Sequence, residues 1–211
     1  MKFGKLLLVG ATALLTFTAS AQDDQKRECD RMRFLAGEEG LKKEDYKKAA
    51  LYLHKAEAIC GSLDKDNWER LLGSLKNVIH DEQDETTKKL YIDSTLAAYE
   101  RQEAAGFYDP IEDLDRGLYY TQCTTPDVKK ADFYFQRGVK AQGAKTHESY
   151  IVYAYYATYL LFNSAQGDEK AALKKRMIDD FFMYSEIVSQ AGMTPLTQET
   201  LATYLDYAVE S

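Results

Sequence analysis

Proline and histidine are scarce in this 211-residue chain, three of each, and there is one tryptophan. So few prolines leave room for long uninterrupted elements. His54, His80 and His147 fall on separate segments, with no H-E-x-x-H or other metal-ligand spacing, and read as solvated or helix-terminal residues. Cysteine is as rare: Cys29, Cys60 and Cys123 form no C-x-x-C and no Cys/His set of the zinc type. Nucleophile-elbow, Walker-type and G-x-G-x-x-G sequences are missing, so hydrolase serines and phosphate cradles have no support. Bases number 27 against 34 acids, for a formal charge of −7, the wrong sign for contacts along a phosphate backbone. The sequence therefore predicts no nucleic-acid partner, no cofactor, no metal and no catalytic residue.

What remains is a 45% hydrophobic chain with 16 Tyr and 9 Phe, enough for an ordinary globular core. Residues 1–21 have the three regions of a secretory signal: Lys2 and Lys5, an apolar stretch from Leu6 to Phe17, and Ala19-Ser20-Ala21 before Gln22. The apolar stretch is shorter than the roughly 20 residues of a spanning helix, and no lipid-attachment cysteine stands at the junction, so the mature chain is expected to be free of a membrane span. Removing Lys2 and Lys5 leaves 25 bases against 34 acids, or −9 over residues 22–211. An exported, periplasmic or outer-membrane-associated location follows, in which disulfides are permitted.

From residue 26 onward apolar positions recur at three and four residues, as in Tyr46, Ala49, Ala50, Leu53 and Ala56, or Val128, Ala131, Phe135 and Val139. Asp109-Pro110, Thr125-Pro126 and Thr194-Pro195 each put a capping side chain before a proline at a helix start. The pattern predicts helices over 26–40, 44–60, 65–80, 85–105, 110–122, 127–142, 147–164, 169–190 and 196–210. Short loops make neighbours antiparallel. Gly37, Gly73, Gly117 and Gly138 fall inside these helices, where close helix approach is the expected reason.

The stretch Asp45 to Ala56 resembles the second helix of a tetratricopeptide repeat (TPR), a helix–turn–helix of about 34 residues. Tyr46, Ala49, Leu53 and Ala56 match its aromatic, small, large and small positions, and Gly37 matches a small first-helix position. Val128, Ala131, Phe135 and Gly138 repeat the pattern; Ile178, Phe181 and Ser185 keep only its spacing. Trp68 with Leu71-Leu72-Gly73 is similar to the family's first-helix opening with one residue inserted, and Tyr153, Tyr156, Ala157 and Leu160 fit first-helix positions of a fourth hairpin. Hairpin starts near 26, 65, 110 and 147 give a drifting period of roughly 40 residues. The resemblance implies an all-α fold, a right-handed α-solenoid of about four antiparallel hairpins plus a C-terminal helix, as one repeat domain over 22–211. A generic helical bundle is the competing architecture. The chain also looks like exported TPR proteins of Bacteroidota, whose members tend to run to more repeats; a natural short form and a truncated frame both fit an end inside the periodic helix of Leu201, Tyr204, Leu205 and Ala208.

Cys29 at the start of the first helix and Cys60 at the end of the second lie at adjacent ends of an antiparallel hairpin, which makes them the expected disulfide, with a pair of buried thiols as the alternative. Cys123 is left over. Asp81-Glu82 with Asp84-Glu85 lack EF-hand order, and Asp109, Asp113 and Asp115 fall largely on a helix, so neither reads as a calcium loop. Glu112-Asp113 and Asp179-Asp180 could act as a catalytic pair only within a cleft. Residues 150–162 place aromatics on nearly every helical face. Tyr155 and Tyr159, one turn apart, are the candidate partner surface, against a helix simply buried on both sides. The expected function is a non-catalytic exported scaffold that binds a protein or peptide in the cell envelope; a helical glycan-binding protein of outer-membrane uptake is the alternative.

Overall fold

The computed structural model describes the backbone of residues 7–210 and the side chains of residues 22–210. Among the described residues it is all-α, without strands. The α-helices among the described residues are α1 (Leu7–Gly37, continued by a π turn over Glu38–Lys42), α2 (Tyr46–Cys60), α3 (Lys65–Asp81), α4 (Glu85–Ala104), α5 (Asp113–Gln122), α6 (Val128–Gln142), α7 (Glu148–Ser164), α8 (Gly167–Ala191) and α9 (Pro195–Glu210). Apart from α1, the expected segments agree closely with these. The helix α1 starts at Leu7, so the Ala21–Gln22 junction lies within it. Residues 1–6 of the expected export signal, and the side chains of 7–21, lie outside the described residues. Among the described residues no helix is long and apolar enough to cross a membrane.

Aspartates start most of these helices. Asp45, Asp64 and Asp127 each accept the backbone N–H three residues on, at 3.1, 2.9 and 3.0 Å, and Asp84 does the same for Thr87 at 2.7 Å. The Asp127 cap corrects the reading of Thr125-Pro126: α6 begins at Val128 because the Asp127 carboxylate reaches Lys130 N–H, and Pro126 precedes the cap. Asp109 caps a 3-10 turn over Pro110–Glu112 that leads into α5, and Pro195 opens α9. Left-handed Gly61 and Gly192, with φ of 80° and 63°, close α2 and α8.

The chain divides into two compact units, residues up to 83 with 104–107, and residues 84–103 with 108 onward. In the first, α1 and α2 run antiparallel. Cys29 and Cys60 are disulfide-bonded with Cα atoms 5.6 Å apart. One turn away Gln25 Nε2 donates to the Ile59 carbonyl at 2.5 Å. At the other end of the hairpin a Cβ on Gly40 would lie 3.2 Å from that of Ala49. Ala49, Leu53 and Ala56 are buried, with Tyr46 and Gly37 half-buried, and Trp68, Leu71 and Leu72 of α3 complete this core.

In the second unit α4 is tied to α5 by Glu103 to Arg116 (2.8 Å) and Glu100 to Tyr120 (3.1 Å), and to the loop after α5 by Asp93 to Thr124 (2.5 Å). The helices α5 and α6 meet through reciprocal glycines. A Cβ on Gly117 would stand 2.7 Å from the Phe135 ring, and one on Gly138 would stand 2.8 Å from Leu114 Cδ2 and 2.9 Å from its backbone N. Ala131, Phe135 and Gly138 are buried at this seam and Val128 is half-buried. Gly37 and Gly73 differ: an added Cβ would meet only Arg70 Nη1, at 3.9 Å, in the first case and nothing within 4 Å in the second. Close approach therefore explains two of the four glycines. We expect Gly138→Ala to cost about 2 kcal/mol by overpacking against backbone, and Gly73→Ala to gain roughly 0.5–1 kcal/mol of helix propensity. Urea midpoints of the two variants check this; equal shifts would contradict it.

Helices α6, α7 and α8 share a polar knot. Arg176 is bidentate on Asp132 at 2.9 and 2.5 Å, and its Nε lies 3.3 Å from Asp180. Thr158 Oγ1 sits 3.1 Å from Asp132 and 3.3 Å from Asp180, and Gln136 donates to Asp180 (3.2 Å) and to the Tyr184 hydroxyl (2.7 Å). This knot corrects the α8 register. Met177, Asp180, Tyr184 and Val188 face inward, one position before the expected Ile178, Phe181 and Ser185, because Asp180 and Tyr184 find partners there. Burial holds the Asp180 carboxyl above the usual carboxylate range, opposed by Arg176 and reinforced by Asp132. With the folded value above the unfolded one, the folded state binds more protons between them, and stability falls as pH rises through that window. Asp180→Asn should remove this slope, so its melting temperature relative to wild type should rise between pH 4 and pH 7. A constant difference would refute it.

Candidate interaction surface

The helix α7 is lined by tyrosines whose roles separate by face. Tyr150 donates to Asp115 and holds α7 on α5. Tyr155 is fully buried: its hydroxyl donates to the Met177 carbonyl at 3.0 Å, and its ring centroid lies 6.0 Å from that of Tyr184 and 6.5 Å from those of Phe181 and Tyr204. This corrects its assignment to a partner surface. Tyr155 is a core residue, buried because α8 and α9 both cover that side of α7.

Tyr159 stands differently. It is half-buried, in a group made by α7 and α9 running parallel. Glu148 fixes the start of that pairing by accepting Thr194 N–H (3.2 Å), Thr194 Oγ1 (2.9 Å) and Thr197 Oγ1 (3.0 Å). These bonds hold its carboxyl below the usual range. With matched helices, tyrosines three residues apart on each meet as a set. Tyr204 lies 5.2 Å from Tyr156 and 5.1 Å from Tyr159, and Tyr159 lies 6.2 Å from both Tyr156 and Tyr207. The rings incline at 26–42° rather than stacking flat. Tyr156 is 38% exposed, Tyr207 54%, and Tyr153, one turn earlier, 43%. Burial, then the Tyr156 and Tyr159 hydroxyls, push the Tyr204 hydroxyl above its ordinary value.

Such a face offers ring surfaces and hydroxyl groups to solvent. The sequence signal for its α9 half was the Tyr204/Tyr207 spacing, matching Tyr156/Tyr159, although Tyr204 read as a core position. Tyr153 and Tyr156, expected in a packing stripe, are exposed instead.

The other candidate residues stand in separate surroundings. Asp113 is engaged by Arg137 and by Tyr108, whose hydroxyl donates to it at 2.6 Å. Asp179 is exposed while Asp180 turns inward, so the two do not form a carboxylate pair. His147 caps α7 by accepting Ser149 N–H at 3.3 Å, and His54 lies 3.7 Å from Glu57. No group of three or more His, Cys, Asp or Glu among the described residues could hold a metal ion. The Cys123 thiol is buried and directed at the Thr125 carbonyl, 3.1 Å away. In the first unit a crevice of about 170 Å³ opens where Gly37, Gly40 and Gly73 present no side chain, with Leu41, Tyr46 and Arg70 around it.

No protein-family model matches the chain, and no curated protein or solved structure matches it either.

Proposed function

We propose that this chain is an exported, non-catalytic helical scaffold that binds a protein or peptide in the envelope of a Gram-negative bacterium. The observation that carries this reading is the partly exposed tyrosine group of α7 and α9. The proposed architecture is a divergent, right-handed TPR-like solenoid akin to exported proteins of Bacteroidota. Alternate helices of the second unit support it by lying parallel, with α6 bonded to α8 and α7 to α9 at separations of 44 to 49 residues. This exceeds the family's repeat of about 34 residues and fits the drift read in the sequence. The Cys29–Cys60 disulfide supports an oxidising compartment.

The test is affinity capture from envelope extract with wild type and with Tyr156→Ser/Tyr207→Ser, identifying bound proteins and glycans. The expected result is one protein at fixed stoichiometry, lost with the double variant. A glycan alone would favour the uptake-associated alternative, and recovery of nothing would remove the scaffold reading.

A further inference from the structure

The charge carried by the two helices of the tyrosine face is one-sided. Helices α7 and α9 carry Glu148, Glu199, Asp206 and Glu210 and not one lysine or arginine. Glu148 is held by Thr194 and Thr197, but Glu199, Asp206 and Glu210 are exposed. At spacings of three and four, Glu199, Thr203, Tyr207 and Glu210 fall on one exposed stripe of α9, with Asp206 beside it. The base that reaches α9, Lys174, donates to the Val209 carbonyl at 3.0 Å. Elsewhere in the same unit cations already sit over tyrosine rings: Lys130 Nζ is 5.0 Å from the Tyr120 centroid and the Arg137 guanidinium 4.4 Å from that of Tyr108.

We propose that the α7/α9 face docks a cationic peptide segment, rich in lysine or arginine, of a partner protein. The rings of Tyr156 and Tyr207 take the side-chain cations by their negative faces, and Glu199, Asp206 and Glu210 supply the countercharge. Charge complementarity selects this occupant, because an acidic segment would meet the exposed carboxylates of Glu199, Asp206 and Glu210 while the ammonium of Lys174 is engaged by the Val209 carbonyl, and a neutral sugar would leave those carboxylates unused. The net charge of −7 steers a cationic chain toward the protein at long range, and the tyrosines give that attraction a place. The inference rests on the partner-binding reading above and deepens it by naming the chemistry of the partner.

The test is fluorescence anisotropy of a labelled octalysine peptide with the purified protein, with labelled octaglutamate and maltoheptaose as comparison probes. Octalysine is expected to bind, with affinity falling as salt rises. Tyr156→Ser/Tyr207→Ser should weaken it about tenfold, as the loss of two cation–ring contacts implies. The exposed triple Glu199→Gln/Asp206→Asn/Glu210→Gln should weaken it and flatten the salt dependence. A matched triple on the first unit, Asp23→Asn/Asp66→Asn/Glu69→Gln, should change affinity less than twofold. Circular-dichroism melting checks folding, and the amide variants keep the test sharp if the tyrosine variant melts early. The proposal is overturned if octalysine does not bind, if both triples weaken it equally, if a folded tyrosine variant binds as well as wild type, or if maltoheptaose binds more tightly. Should octalysine binding fail while envelope capture succeeds, the scaffold reading stands and the cationic assignment falls; the opposite outcome separates them the other way.

Discussion

Asp113→Ala is expected to destabilise the second unit by about 3–5 kcal/mol, the range for removing one partner of a buried ion pair. The carboxylate is wholly buried at the start of α5. It takes Arg137 Nη2 at 2.8 Å and a further bond from Arg137 Nε, the Tyr108 hydroxyl at 2.6 Å, and Arg116 Nη1 at 3.6 Å. Arg116 is itself buried, with its guanidinium 4.2 Å from the Tyr134 ring centroid. Truncating Asp113 leaves Arg116 with Glu103 as its remaining carboxylate and Tyr108 without its acceptor. A urea-midpoint shift equivalent to less than about 1 kcal/mol would show that Glu103 alone compensates both arginines.

Opening the Cys29–Cys60 bridge is the second large effect. The bond closes a loop with a sequence separation of 31, for which the chain-entropy model gives about 3–4 kcal/mol. Cys29→Ser/Cys60→Ser should therefore melt well below wild type, with the loss confined to the first unit in hydrogen exchange. Alkylation of the unfolded protein should label one thiol without reductant and three with it. Three labelled thiols without reductant would remove the bridge.

The helix positions were legible because local chemistry sets them: apolar residues at three and four, aspartate or proline at the starts, glycine at two ends. The reciprocal seam was half legible, since Gly138 and Phe135 fitted a repeat position, whereas only the structure pairs Gly117 with Phe135 and Gly138 with Leu114. Partners distant in sequence were not legible. Asp180 and Tyr184 look like solvated residues until Gln136 and Thr158 meet them, and their burial shifts the α8 register by one. Tyr155 and Tyr159 looked equivalent; α8 and α9 together buried the first and left the second half-buried among the rings of Tyr156, Tyr204 and Tyr207. Arg116 carried no signal at all, because nothing in α5 alone shows that Tyr134 and Glu103 surround it.

The bonds that tie α8 and α9 back to α6 and α7 reach across fewer than fifty residues each, between helices two places apart in the chain. Assembly through these bonds therefore asks for no pairing of helices more than two places apart, and contacts local in sequence favour rapid folding. Force applied to the C-terminal end would be expected to peel α9 and then α8 in steps, leaving the α5–α6 seam closed behind them.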